Sequence, residues 1–312
     1  MKTLRIPHTE LEVSRIACGC MNLSRAWDDG AITAAEIRAT LSLVEAALEH
    51  GITLFDHADI YARGKSEQLF GEALRQMPEL RSRIVLQSKC GIRLAGDPAA
   101  DSPQRYDFSR GHLVRSVEGT LKRLDTDHLD LLLLHRPDPL AEPDEVARAF
   151  GQLQDSGKVL HFGVSNHSAA QISLLQEHLE QPLVANQVEL SLAHHQLVSD
   201  GILFNQPGGS GAGATLDYCR EYGLLLQAWS PLAGGHLSGP AADLAAQYAQ
   251  ARGVATEAVL LAWLLKHPAG IQPVIGTTRP ERLAACCQAD QVELSREEWY
   301  ALLAAARGAS VP

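Results

Sequence analysis

The 312-residue chain has no hydrophobic run long enough for a bilayer; its longest, around Leu131–Leu134, falls far short of the roughly 18 apolar residues a spanning helix needs. It has no secretory leader either. Met1-Lys2-Thr3-Leu4-Arg5-Ile6-Pro7 carries no apolar stretch and no small-residue cleavage site, so the mature chain is expected to begin at or near Met1. Nor is there a dense block of Lys and Arg: 27 basic against 37 acidic side chains leave a formal net charge of −10, which repels a phosphate backbone. No nucleic acid, no membrane and a cytoplasmic location are the resulting expectations. The six cysteines, Cys18, Cys20, Cys90, Cys219, Cys286 and Cys287, form no CxxC pair, and a bond between the adjacent Cys286 and Cys287 would be strained. Reduced thiols and no structural metal follow.

What is present is core-forming material. About 46% of the residues are hydrophobic, as a packed interior of ordinary density requires, so disorder is excluded. From Ile16 onward, short apolar runs alternate with amphipathic stretches, the pattern of repeated βα units. The first helix is bounded by a Thr33/Glu36 capping box and by Gly51, with Ile37, Leu41, Val44 and Leu48 expected on its buried face. Eight strands are read at Ile16–Gly19, Ile52–Phe55, Ile84–Lys89, Leu129–Leu134, His161–Val164, Val184–Val188, Leu224–Ala228 and Gln272–Ile275. The unbroken run Leu129–Leu134 is that of a strand buried on both sides, hence a parallel sheet. Eight such units leave no room for a second core. The expected fold is α/β, a single (β/α)8 TIM barrel over residues 1–312, with an N-terminal β-hairpin from Leu4–Ile6 and Leu11–Val13 plugging one end. The glycine-rich stretch 208–213 reads as a loop over the mouth or as a plain surface loop.

In such a barrel the chemistry sits at the C-terminal strand ends. A lysine at the end of an inward-facing strand, Lys89, is costly to bury unless a carboxylate meets it, and Asp56 ends the neighbouring strand. Tyr61 beside that ammonium is expected to have its acidity drawn toward neutrality and to serve as a proton donor, with His135 hydrogen-bonding a carbonyl oxygen. Each residue alone has a plainer structural reading; four converging from three adjacent strands do not. His57, next to Asp56 on a strand, should point the other way, as a satisfied core histidine. A second cluster, Gly276-Thr277-Thr278-Arg279-Pro280-Glu281-Arg282, offers backbone and hydroxyl donors at a helix start plus two guanidinium forks, which suits a phosphate. Ser230 to Gly235 supplies a glycine-containing loop beside it.

Taken together, these residues resemble the aldo-keto reductase family, in the form seen in its bacterial YdhF-like branch. The resemblance covers nearly the whole chain, through Gly51–Tyr61, Leu121–Leu124 to His135-Arg136-Pro137-Asp138, Gly157–Val159 to Gly163–Asn166, and Gly276–Arg282. It implies NADPH-dependent reduction of a small-molecule carbonyl by an Asp56, Tyr61, Lys89 and His135 tetrad, in a monomer. By the same resemblance Ser165, Asn166 and Gln187 would hold the carboxamide of NADP(H) and Trp229 would stack on its nicotinamide. Ser230, Leu232 and Gly234 would line the pyrophosphate, and Gly276, Thr277, Arg279 and Arg282 would take the adenosine 2′-phosphate. Cys286 falls where many members place an adenine-contacting Asn, leaving Gln288 as a substitute. Arg136 follows His135 where many have Trp, making that pocket wall more polar, and Trp27 is a candidate for another wall.

Two other classes stand beside this reading. Asp56, His57, Asp59, His135 and Glu189 could ligate the metal of a barrel hydrolase, although the first strand ends in Cys18-Gly19-Cys20 and the Gly276 cluster would then lack a purpose. Relatives of this fold also serve as cofactor-binding subunits of channels, which would bind NADPH with little turnover.

Overall fold

The computed structural model describes residues 1–203 and 213–312. In chain order, β1 (Thr3–Arg5) and β2 (Glu12–Ser14) form an antiparallel hairpin, and β3 (Ala17–Gly19) opens the main sheet. There follow α1 (Ala34–Glu49), β4 (Leu54–Asp56), α2 (Lys65–Gln76), β5 (Val85–Cys90), a small antiparallel pair β6 (Ile92–Arg93) and β7 (Arg105–Tyr106), α3 (Arg110–Leu124) and β8 (Leu129–Leu134). The second half runs through α4 (Pro143–Asp155), β9 (Val159–Ser165), α5 (Ala169–Gln176), β10 (Leu183–Glu189), α6 (Gln196–Ile202), α7 (Gly213–Glu221) and β11 (Leu225–Trp229). It ends with α8 (Pro240–Arg252), α9 (Thr256–Leu265), β12 (Gln272–Ile275), α10 (Pro280–Cys287) and α11 (Arg296–Arg307). The strands β3-β4-β5-β8-β9-β10-β11-β12 are parallel and close on themselves where Val274 and Ile275 pair with Ala17 and Cys18. This is the expected eight-stranded (β/α)8 barrel.

Parity along each strand divides the core in two. One set of side chains faces the helices: Phe150 of α4 stacks on Phe162 of β9 with ring centroids 4.0 Å apart. The other set fills the lower barrel, where Ala17, Leu54, Val85, Leu131, Leu133, Val184, Leu225 and Val274 meet Ile6 and Val13 of the hairpin. The hairpin is therefore a plug, as its sequence suggested. Gly71 on α2 lets that helix lie against the end of α3, where a Cβ would collide with the backbone of Arg123 and Leu124.

Three expectations shift. The capping box on Thr33 and Glu36 is present, but α1 buries Thr40, Leu43, Val44 and Ala47, so its core face is rotated away from Ile37, Leu41 and Leu48. The strand read at Ile52–Phe55 runs Leu54–Asp56, and that read at His161–Val164 runs Val159–Ser165. Of the glycine-rich stretch 208–213, residues 208–212 lie outside the described residues, and Gly213 opens α7. Among the described residues no helix is long and apolar enough to cross a membrane.

Candidate active site

The C-terminal ends of β4, β5 and β8 bring Asp56, Lys89 and His135 to one side of the mouth, and the turn after β4 brings Tyr61 to them. Asp56 and Lys89 are buried almost completely, at 3% and 1% exposure. Lys89 Nζ lies 2.8 Å from both Asp56 oxygens, donates to the carbonyl of His57 at 2.8 Å and to the hydroxyl of Tyr61 at 3.1 Å. All three ammonium hydrogens thus have acceptors, which is what makes a buried lysine tolerable. Burial opposes the charge on Lys89, but the Asp56 carboxylate outweighs it and holds the ammonium above its ordinary value.

Tyr61 follows a different rule from the one expected. Burial of the phenol is the largest influence and raises it above 10, ahead of the opposing pull of the Lys89 ammonium. The expectation that it moves toward neutrality is corrected: the ammonium's field is largely cancelled by Asp56 and outweighed by desolvation. The phenol is thereby kept protonated. His135 stands edge-on to Tyr61, with ring centroids 5.9 Å apart at 83°. Burial, then Lys89 and Arg136, push His135 well below 6.5, so its ring is neutral at neutral pH.

The turn that carries Tyr61 is strained. Ala62, Arg63 and Gly64 are all left-handed, with φ of 47°, 55° and 88°. Two of them are not glycine, at a cost of about 1–3 kcal/mol each. Lys65, which pairs with Asp28, and Arg123, packed on Gly64, brace it. Of the seven non-glycine residues with positive φ among the described residues, five follow the C-terminal ends of barrel strands: Ala62, Arg63, Asn166, Ser230 and Ala233. Strain concentrated there points to function.

On the opposite rim, Ser165 Oγ donates to the carbonyl of Gln187 at 2.8 Å, and Asn166 Nδ2 donates to Ser165 Oγ at 2.8 Å and to the carbonyl of His135 at 3.2 Å. The Trp229 indole donates to Asn166 Oδ1 at 3.0 Å, which fixes its ring, and the Arg136 guanidinium lies 5.6 Å from that ring's centroid. Gln187, inward-facing on β10, turns its amide nitrogen into the barrel, where it donates to Asp56 Oδ1 at 3.1 Å and to Gln227 at 3.1 Å.

After β11, the chain turns through Ser230, Leu232 and Gly234, with Leu232 lining a crevice with Ser191, Leu192 and Leu260. After β12, Gly276 is exposed and accepts from Asn22 Nδ2 at 2.9 Å, and Thr277 Oγ1 accepts from the backbone of Arg279 at 3.2 Å. Pro280 opens α10, Arg279 is exposed, and Arg282 lies 3.6 Å from Glu257, both near solvent. Cys286 is buried at 1% exposure, so it faces the core and not the adenosine side. Gln288 accepts from the backbone of Ala255 at 2.9 Å through its amide oxygen. Trp27 is about half exposed and touches the site's loop through its carbonyl, which accepts from Arg63 at 3.3 Å.

His57 and Asp59 leave the mouth for the helix layer. His57 packs on Phe70 of α2 with centroids 4.7 Å apart, and neither ring nitrogen has a partner, so it is buried there as expected but not satisfied. Burial drives it down to about 3. Asp59 is pushed up to about 8 by burial and then by the Glu67 carboxylate. The ligand set of the metal-hydrolase alternative is thereby split between two layers.

The matching family model, the Aldo/keto reductase family, spans residues 15–307. The chain belongs to the aldo/keto reductase family. Like other members it is an oxidoreductase barrel. It is 38% identical to the uncharacterized oxidoreductase YcsN of Bacillus subtilis, over 97% of each chain, and 41% identical to the oxidoreductase YdhF of Escherichia coli, over 88% of this chain and 90% of that one. A 6-dehydroglucose reductase of Agrobacterium fabrum is 39% identical over 97% of each. Among solved structures, the thermostable aldo-keto reductase Tm1743 in complex with epalrestat superposes with a TM-score of 0.79 at 25% identity, over 97% of this chain and 99% of that one.

Within this aldo/keto reductase the sequence reading missed one set of residues: Gln87, Gln227 and Gln272, all fully buried inside the barrel. A signal existed. Gln87 stands two residues before Lys89, on the same inward face of β5.

Proposed function

We propose that the protein reduces an aldehyde or ketone to the alcohol with hydride from NADPH, Tyr61 giving its proton to the carbonyl oxygen. The observation that carries this reading is the bond from Lys89 to Tyr61. An ammonium can only donate, so the phenolic oxygen accepts from Lys89 and its own proton is left for another acceptor. That proton is retained at neutral pH because burial raises the phenol. His135, neutral for the reason given, can donate an N–H to the same carbonyl oxygen, and its buried Nδ1 has no partner. The ring then favours the tautomer protonated on the other nitrogen, because an unfilled acceptor costs less than an unfilled donor.

The residues present fit the cofactor. The flat indole of Trp229, locked by Asn166, suits a nicotinamide face, and Ser165 and Asn166 offer polar groups for a carboxamide. Thr277, the start of α10, Arg279 and Arg282 gather donors and positive charge at one place, which suits a phosphate dianion and so NADPH over NADH. When bound, the reduced nicotinamide supplies the hydride. The protein's part is to hold Asp56, Lys89 and Tyr61 in a water-poor pocket and to move one proton from the phenol. All four tetrad groups come from one chain, consistent with a monomer. Given the name of the Agrobacterium relative, a sugar with an oxidised carbon belongs among the first substrates.

The test is the consumption of NADPH and, in parallel, NADH with a panel of aldehydes, ketones, quinones and dicarbonyl sugars. Turnover preferring NADPH supports the reading. Tight NADPH binding without turnover would replace it with that of a cofactor-binding subunit.

A further inference from the structure

The barrel beneath Lys89 is polar at one level. Gln187, Gln227 and Gln272 stand in register across β10, β11 and β12, and Gln87 stands in register with Asp56 across β5 and β4. All four amides are buried, at no more than 2% exposure, and they form one chain of hydrogen bonds. Gln272 donates to the carbonyl of Ser14 at 2.7 Å; Gln227 donates to Gln272 Oε1 at 2.9 Å and to Gln87 Oε1 at 3.0 Å. Gln87 and Gln187 each donate to Gln227 Oε1, at 2.9 and 3.1 Å, and each also donates to Asp56 Oδ1, at 2.5 and 3.1 Å.

Both ends of this chain are pure acceptors, a backbone carbonyl below and a carboxylate above. That fixes which way every amide faces. Gln272 must turn its nitrogen to Ser14 and its oxygen to Gln227, so Gln227 turns its nitrogen to Gln272 and Gln87 and its oxygen to the nitrogens of Gln87 and Gln187. Two N–H groups are thereby left aimed at Asp56.

We propose that Gln87 is a positioning residue for the reduction: anchored through Gln227 and Gln272 to the barrel floor, it holds the Asp56 carboxylate in place against Lys89. The inference rests on the reductase reading for its kinetic test only. Asp56 Oδ1 has three donors, Lys89, Gln187 and Gln87, and the Gln87 contact is the shortest. The titratable groups around Asp56 are Lys89 from β5, Tyr61 from the turn after β4 and Cys20 after β3. None of these can take over the Gln87 bond, because Lys89 is already committed to three acceptors and Tyr61 lies on its far side. Without Gln87, Asp56 is free to turn from Lys89. The ammonium that orients Tyr61 is then less firmly held.

Gln87→Met keeps the volume and removes the donor. Its kcat is expected to fall about ten-fold, the usual consequence of losing a hydrogen bond to a charged group, with the KM for NADPH unchanged. Gln87→Glu has a pH signature: its carboxyl donates to Asp56 while protonated and repels it once ionised, so its deficit grows with rising pH. Gln272→Met breaks the chain at the floor, leaves both donors to Asp56, and should lower stability without moving the pH profile.

A readout independent of turnover uses [13C]aspartate-labelled protein. The infrared carboxylate band isolated by difference against Asp56→Asn is expected to shift in Gln87→Met and to stay in Gln272→Met. If the wild-type protein turns over no carbonyl, the reductase reading fails and this band alone decides on Gln87. An unshifted band in Gln87→Met overturns the proposal. So does a Gln87→Glu deficit that does not vary with pH, or a Gln272→Met protein that loses as much turnover as Gln87→Met. Should Gln87→Met fail to fold, the isosteric Gln87→Glu carries both measurements.

Discussion

Tyr61 accepts a hydrogen bond from Lys89 Nζ at 3.1 Å while remaining a protonated phenol. The pair divides the labour: Lys89 holds the oxygen, and the hydroxyl proton is left pointing elsewhere. Tyr61→Phe removes the hydroxyl, and with it both that proton and one acceptor of the Lys89 ammonium. Its kcat is expected to drop by about 10²–10⁴-fold, the span attributed to a positioned acid, while the dissociation constant for NADPH, read by fluorescence, stays within about two-fold. Undiminished turnover would sink Tyr61 as the acid.

Lys89 and Asp56 form a pair that water hardly reaches. Removing one partner leaves the other charge buried alone, so Lys89→Met is expected to lower stability by about 3–5 kcal/mol. Lys89→Met combined with Asp56→Asn removes both charges and should recover most of that loss. Urea melts of the three variants check this, and equal stability of the single and double variants would contradict it.

His57 and Asp59 give stability opposite slopes with pH. His57 sits at about 3 in the fold against about 6.5 unfolded, so its contribution is complete above pH 6.5 and is lost as pH falls toward 3, because the unfolded chain takes up the proton. His167, pushed by burial down to about 4, acts in the same sense. Asp59 sits at about 8 against about 3.9 unfolded, so its contribution is complete below pH 3.9 and is lost as pH rises through 8. Asp59→Asn cannot ionise. Its stability relative to the wild type should therefore rise steadily from pH 4 to pH 8, and urea unfolding across that range measures the slope. A flat difference would show Asp59 ionised in the folded protein.

Arg282 pairs with Glu257 at 3.6 Å on the surface, a contact worth about 0–1 kcal/mol. Arg282→Ala should therefore leave the melting curve nearly unchanged. If the guanidinium takes the 2′-phosphate, the variant's KM for NADPH rises about ten-fold or more while that for NADH does not move. Parallel losses for both cofactors would place Arg282 outside the phosphate site.

Much of this was legible along the chain because strand and helix periods report burial directly. The unbroken run Leu129–Leu134 could only be an interior strand, and Leu113, Val117, Leu121 and Leu124 on one face of α3 are all buried. The strand-end positions of Asp56, Lys89 and His135 followed from the same alternation. The face of α1 was read less well, because Ile37, Leu41 and Leu48 compete with Leu43 and Ala47 for one core, and packing against α2 and α10 rotates the helix. The burial of Cys286 was not legible for a similar reason: motif spacing locates a residue on α10 but not the side of the helix that the core takes.

The sequence by itself determined that eight βα units close into a barrel and which titratable residues stand at its mouth, since both follow from period-two and period-3.6 patterning that any nearby segment reveals. Tertiary structure alone decided the direction in which burial moves Tyr61, the retreat of Asp59 into the helix layer, and the meeting of Gln87 with Gln227 across 140 residues of chain. These depend on desolvation and on partners brought together only when the barrel closes, and neither quantity is local.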